Sequence, residues 1–374
     1  MESVVARGGP PEFRRRMERR CSSSSSDSGS VFSDCRSERS DDLALPESPS
    51  CGVEPSSLHR FLFSSSGCSD DDIQSLVSDL KSISVESQRR AAMGLRLLAK
   101  PSTETRIRIA EAGAVAPLVS LVSHPDPQLQ EHAVTAILNL SLCEENKAAI
   151  AAAGAVPNLV RALGTGTLTA CGNAACALLR LADLTDLPAA IGCCGAIPPL
   201  VDLLQKGGAR GKKDAATALF ALLAVEENAA LAAEAGVVRP LLELMADPES
   251  GVEDKAAYVL LRVLAAPKGR AAAVDEGGVA VLVDMLEMGS KRQKEVAVLS
   301  LLEICEENEA YRMIVVREGA IPPLVALSHS SFRRVKEKVT RLVALLRGST
   351  GRLPFNVERN SQYYSRTAMK SRVQ

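Results

Sequence analysis

The sequence predicts an all-α solenoid, a stack of short helical units that share one continuous core. Three observations carry this. Glycines 113, 154, 195, 236, 277 and 319 each precede a short apolar run, as in Gly154-Ala-Val-Pro-Asn-Leu-Val and Gly195-Ala-Ile-Pro-Pro-Leu-Val, and successive glycines lie 41, 41, 41, 41 and 42 residues apart. A fixed period of that size marks stacked helical repeats. The same succession of short helix, glycine, helix with an early proline, turn and long helix recurs around each joint. Finally, the 374 residues are 46% hydrophobic but only 3% aromatic, with no tryptophan. Alanine and leucine must do the packing, which suits helices that approach closely.

One unit shows why each element forms. Residues 146–153 read as a short helix that Gly154 ends, because the left-handed position after a helix is nearly free for glycine and costly for other residues. Pro157 falls in the first turn of the next helix, where its missing N–H is no loss. Leu159, Val160 and Leu163 give that helix an apolar face, and Gly164-Thr-Gly166 breaks it. A third helix, about 168–182, carries Ala174, Ala175, Leu178, Leu179 and Leu181 as its buried stripe. No helix of the unit buries its stripe alone, so stability comes from neighbour on neighbour.

Along the chain, residues 1–69 read as a disordered serine-rich arm. Ser22–Ser26, Ser37, Ser40, Asp41 and Asp42 belong to serine stretches with interleaved acid and almost no apolar periodicity; such composition does not fold alone and suits control by phosphorylation. Arg14–Arg16 with Arg19 and Arg20 form a short basic run that could address the nucleus. Leu58, Phe61, Leu62 and Phe63 are the arm's one apolar cluster and are expected to cap the first repeat. Residues 70–347 form the solenoid, about seven units with the first truncated. Asp70–Asp72 open it, favourably placed at a helix N-terminus, and Ser84 caps a long helix through Ala99. Asp126-Pro127 and Asp247-Pro248 each read as N-cap and first residue of a long helix. The paired glutamates 144/145, 226/227 and 306/307 recur between units and read as helix caps. The last long helix, 331–347, carries more charge than the inner ones, as a terminal repeat must on its outer face. Residues 348–374 read as a flexible polar tail.

The composition also bounds function. A net charge of −1 gives no global pull toward nucleic acid or membrane. No apolar run approaches a membrane span, and the first residues lack a hydrophobic signal segment, so the chain is expected in the cytosol or nucleus. None of the ten cysteines forms Cys-x-x-Cys or has a histidine beside it for zinc. The four histidines pair with no serine or cysteine in a catalytic pattern. Lys206-Gly-Gly-Ala-Arg-Gly-Lys-Lys213 glances toward a phosphate-binding loop, but Lys206 replaces its first glycine and Lys213 its Ser/Thr, and no strand precedes it. We expect no active site, cofactor or metal, and a monomer.

The unit layout resembles the armadillo repeat over roughly residues 70–347; HEAT repeats fit less well, having two helices and no glycine at this joint. The segments Cys143-Glu-Glu-Asn146, Glu226-Glu-Asn228 and Cys305-Glu-Glu-Asn308, with the Gly-Ala-Ile-Pro-Pro-Leu-Val joints, are most similar to the armadillo region of plant U-box/armadillo proteins. The resemblance implies a right-handed superhelix of three-helix units with a concave groove lined by the third helices. It implies ubiquitin-linked chemistry as well, in which a U-box recruits the conjugating enzyme and the repeats hold the substrate. The arm lacks the Cys-Pro-Ile core of a U-box, so ligase activity is expected to be absent and partner binding retained.

By the family pattern, asparagines near the end of each third helix hold the backbone of an extended peptide. That column here reads Leu97, Asn139, Arg180, Ala221, Arg262 and Glu303, and one turn earlier stand Met93, Thr135, Cys176, Thr217, Tyr258 and Leu299. The tryptophans that nuclear-import carriers place there are missing, which counts against that role. The expected partner-binding groove therefore centres on Thr135, Asn139, Arg180, Tyr258, Arg262 and Glu303. Its two arginines suit an acidic or phosphorylated protein segment, with Tyr258 available for stacking. The first reading is a non-enzymatic adaptor; the second is the substrate-binding component of a ubiquitin ligase that acts with a separate U-box or RING partner.

Overall fold

The computed structural model describes residues 69–329 and 335–350, all helix and turn with no strand among them. The serine-rich arm to residue 68, the start of the last long helix at 331–334 and the tail beyond 350 lie outside the described residues. A truncated first unit holds α1 (Asp70–Leu80) and α2 (Val85–Leu98). Six complete units follow, each a short helix, a second helix and a long one. They are α3 (Thr103–Glu111), α4 (Val115–Leu121) and α5 (Pro127–Leu140); α6 (Glu144–Ala152), α7 (Ala155–Thr165) and α8 (Leu168–Leu181); α9 (Leu187–Cys193), α10 (Ile197–Lys206) and α11 (Ala209–Leu222). Then come α12 (Glu226–Glu234), α13 (Val238–Ala246) and α14 (Glu253–Val263); α15 (Pro267–Asp275), α16 (Gly278–Met288) and α17 (Lys291–Cys305); α18 (Glu309–Arg317), α19 (Ile321–His329) and α20 (Lys336–Thr350).

The glycine joint is the local device that makes the unit. Gly113, Gly154, Gly195, Gly236, Gly277 and Gly319 all have φ between +74° and +83°. Around Gly113 the N–H of Ala114 reaches the carbonyl of Ile109 (3.3 Å) and Gly113 N–H that of Ala110 (3.0 Å). Those are the two bonds of a Schellman closure, which satisfies the open carbonyls of the short helix and turns the chain at once into the next. The same pair recurs at Gly195, Gly236 and Gly319. The residue four before each glycine, Ile109, Ile150, Ile191, Ala232, Ala273 and Val315, is wholly buried, as are Leu118, Leu159, Leu200, Leu241, Leu282 and Leu324 in the second helices.

Long helices α2, α5, α8, α11, α14, α17 and α20 pack each on the next and form one layer. Alanine occupies the same buried point in six of them, at 91, 133, 174, 215, 256 and 297, so the backbones approach closely and aromatic bulk has no place.

Three elements differ from the sequence expectation. Asp126 caps α5 as expected, its Oδ1 accepting from Leu129 N–H at 2.8 Å, but Pro248–Ser250 is a single 3-10 turn. Gly251 behind it is left-handed (φ +63°), which a continuing helix cannot accommodate, so α14 starts at Glu253. The glutamate pairs also divide: 144/145 and 226/227 lie in the first turns of α6 and α12, where the helix dipole favours them. Glu306 instead ends α17, and Asn308 caps α18. The last helix runs on to Thr350, three residues past the expected end.

The glycine account makes a paired prediction. Gly154→Ala, with open space around it but a positive φ, should cost about 1 kcal/mol. Gly164→Ala on the exposed side of α7, whose new methyl would meet only Pro199 Cβ at 3.9 Å, should gain about 0.5 kcal/mol. Thermal melts of the two variants should therefore move in opposite directions.

Candidate functional site

The layer of long helices is held by polar side chains that reach from each helix to its neighbour. At its N-terminal end Arg89 on α2 bonds Asp126, the cap of α5 (Nη2–Oδ2 2.9 Å), and Glu86 on its own helix (2.5 Å). The Arg89 guanidinium first, then the Leu129 N–H, hold the Asp126 carboxyl below the usual range, so the cap stays charged. Two turns further along α2, Arg96 Nη1 donates to His132 Nδ1 at 3.1 Å. Burial, and then the facing Arg96, push the His132 pKa down, which keeps the ring neutral and able to accept.

The expected groove residues fall on this layer, and most are already engaged. Asn139 donates its amide to the Arg96 carbonyl at 2.9 Å, so it holds the end of α2. Thr135 is buried, donates to the Glu131 carbonyl (2.7 Å) and accepts from Asn173 of α8 (2.9 Å). Tyr258 is buried edge-on against Phe220 of α11, ring centres 6.3 Å apart. Arg262 lies over the same Phe220 ring at 4.8 Å, a cation–π contact between α14 and α11. Arg180 is only 8% exposed; Glu303 is half-buried. The structure thus brings Thr135 and Asn139 together across α2, α5 and α8, and Tyr258 and Arg262 together around Phe220. Phe220 itself was missed, although its position between Ala-rich stretches as one of seven phenylalanines was a signal.

Sequence reasoning also missed the clamps on the opposite edge. Asn146 of α6 donates its one amide to Leu140, ending α5, and to Arg106 in the preceding short helix (3.2 and 3.1 Å). Asn228 repeats this on Leu222 and Pro188 (2.9 and 2.8 Å). At three other joints arginine does the task one residue later. Arg106 binds the carbonyls of Ala99 and Lys100, Arg270 those of Leu264 and Ala265, and Arg312 those of Cys305 and Glu306. These are the orphan carbonyls that a helix C-terminus leaves. The recurrence of Asn146 and Asn228 at twice the repeat period was the available signal. Only the α8–α9 joint has side chains that cannot donate, Leu187 and Pro188, and closes on backbone turns such as Leu184 N–H to Leu181 carbonyl (3.0 Å).

Among the described residues, clefts open on both sides of the stack. One of about 500 Å³ lies on the long-helix layer at its N-terminal end, lined by Glu86, Arg89, Arg90, Met93, Gln128, Glu131 and His132 among others. Arg90 there is exposed and forms no ion pair among the described residues. Another, about 730 Å³, lies on the short-helix side between α9, α10, α12 and α13, and includes Cys193, Pro198, Val201, Leu231 and Pro240. Cys143, Cys176 and Cys305 are buried, and burial pushes the Cys305 thiol up to about 12. No helix among the described residues is long and apolar enough to cross a membrane.

Gly192 and Asn228 test the clamp directly. A Cβ on Gly192 would sit 1.7 Å from Asn228 Oδ1. Asn228→Ala should cost about 1–3 kcal/mol through the carbonyls it abandons, and Gly192→Ala about as much by expelling the amide. In the double variant the two losses should fall short of their sum by at least about 0.5 kcal/mol; additive losses in denaturant titrations would contradict the clamp.

A family model described as the plant U-box protein ARM repeat region matches residues 72–355. U-box domain-containing protein 13 of Arabidopsis thaliana is 45% identical over 105 residues, 28% of this chain and 15% of that protein. E3 ubiquitin-protein ligase SPL11 of Oryza sativa subsp. japonica is 55% identical over 74 residues, 20% of this chain and 11% of that protein. The chain thus matches well under two thirds of the length of these curated relatives. Among solved structures an engineered protein superposes with a TM-score of 0.66 at 29% identity, covering 74% of this chain and 68% of that one. Computationally designed armadillo repeat proteins for modular peptide recognition share the fold, with a TM-score of 0.56 at 24% identity, 62% of this chain and 99% of that one.

Proposed function

Because the chain belongs to the plant U-box protein ARM repeat region family, we propose that it is a non-enzymatic adaptor that holds a partner polypeptide on the concave face of its long-helix layer, in ubiquitin-linked signalling. The observation that carries this is the cross-helix bonding of that layer. Arg89 to Asp126, Arg96 to His132, Asn139 to the Arg96 carbonyl and Asn173 to Thr135 fix the floor before any partner arrives. A surface whose rotamers are already set loses little entropy on binding.

The partner that fits is an extended acidic or phosphorylated segment. It would meet Arg90 at the open N-terminal cleft, while Thr135, Asn139, Tyr258 and the half-buried Arg262 shape the floor further along. Buried free thiols suit a reducing compartment, the cytosol or nucleus. The second reading, the substrate-binding part of a ligase completed by a separate U-box or RING protein, draws on the ligase relative.

Affinity capture with the full chain tests the site. Proteins retained by the native chain should be lost with Arg90→Glu plus Met93→Glu and kept with Asp202→Lys at the outer cleft; the reverse pattern would move the site to the short-helix side. Purified chain with ubiquitin-activating and conjugating enzymes should build no ubiquitin conjugates. Conjugates formed by the chain alone would overturn the adaptor reading, and conjugates that need a captured RING or U-box protein would favour the second.

A further inference from the structure

The first unit lacks a short helix among the described residues, and its burial pattern shows the consequence. In each of the six complete units the short helix packs on the long helix of its own unit. The residue at one position in the last turns of the long helix, Leu140, Leu181, Leu222, Val263, Ile304 or Leu346, is then at most 1% exposed. Leu98 holds that position in α2 and is only partly buried against the core. One apolar end of the stack is therefore less covered than every equivalent place within it.

The chain enters beside this end. Ser69 and Asp72 close the N-terminus of α1 with a capping box, so the preceding residues must turn away from the α1 axis. Asp70 pairs with Arg108 of α3 (Oδ1–Nη2 2.6 Å), which holds that turn beside the first short helix of the stack. Immediately upstream stands Leu58-His-Arg-Phe61-Leu62-Phe63, where 58, 61 and 62 follow the i, i+3, i+4 spacing of a helical stripe. The link from Phe63 to Ser69 reaches about 20 Å at full extension. That is enough to lay a short helix across α2 and too little to reach beyond the first two units.

We propose that Leu58–Phe63 forms the missing short helix of the first unit and docks against Leu98 at the open end of the stack. The segment has both the apolar side chains and, through the short link to Ser69, the tether to cover that end. Docked there, it makes Ser64, Ser65 and Ser66 the hinge between solenoid and arm. The inference is independent of the groove reading, since it concerns the end of the stack and not its concave face.

The absence of tryptophan gives a clean test in the full chain. Phe61→Trp should emit at shorter wavelength than Phe32→Trp in the same arm and be quenched by acrylamide several-fold less. Adding Leu98→Ala to Phe61→Trp should remove that protection while the helical circular dichroism stays unchanged. If Phe61→Trp is quenched as readily as Phe32→Trp, or stays protected with Leu98→Ala, the proposal fails. Protection that disappears on dilution, with a dimer in sedimentation, would assign the end to a second copy and equally overturn it.

Discussion

The carbonyl ends of the long helices govern this structure. A solenoid repeats the same problem at every joint: four carbonyls face a neighbour that must satisfy them without lengthening the turn. At five of the six joints the chain meets it with a single side chain from the following short helix, asparagine at 146 and 228, arginine at 106, 270 and 312. Because each donor belongs to the next unit, the bond that finishes one helix also fixes the register of its neighbour. The Schellman glycines do the corresponding work inside each unit. Together they turn a set of helices that could not stand alone into one body with nearest-neighbour coupling.

On the other face the same logic shapes what a partner would meet. Asn139, Thr135, Arg262 and Tyr258 are spent on neighbouring helices, so the floor is stiff and its polar groups are largely spoken for. In the proposed adaptor, recognition would fall to side chains above that floor, with exposed Arg90 the clearest case, and to the curvature itself. His132 illustrates the coupling: it stays neutral because Arg96 faces it and burial excludes water, and a charged ring there would repel the guanidinium that it now accepts from.

Much of the fold was legible because its causes are local and repeated. A glycine about every 41 residues, a proline just behind five of the six and alanine at one point of six long helices determine helix, turn and spacing without reference to distant contacts. The features that escaped depend on what lies one repeat away. Nothing in the local sequence tells that the Asn139 amide goes to residue 96, or that Arg180 is buried and not displayed. Asp247-Pro248 looks like Asp126-Pro127 for two residues, and only Gly251 further on diverts it into a 3-10 turn. Likewise the glutamate pairs looked alike, yet Glu306 completes a helix whereas Glu144 and Glu226 begin one.

The α8–α9 joint offers the most direct test of the clamp account, since Leu187 and Pro188 stand where Asn146 and Asn228, or an arginine, stand elsewhere. Native-state hydrogen exchange of the full chain would rank the joints by their local opening energies. If side-chain clamps hold the units in register, amides closing α8 and in α9 should exchange faster than those at the α5–α6 and α11–α12 joints. Equal protection at all three, or slower exchange at α8–α9, would show that apolar stacking alone sets the coupling and that the clamps are incidental.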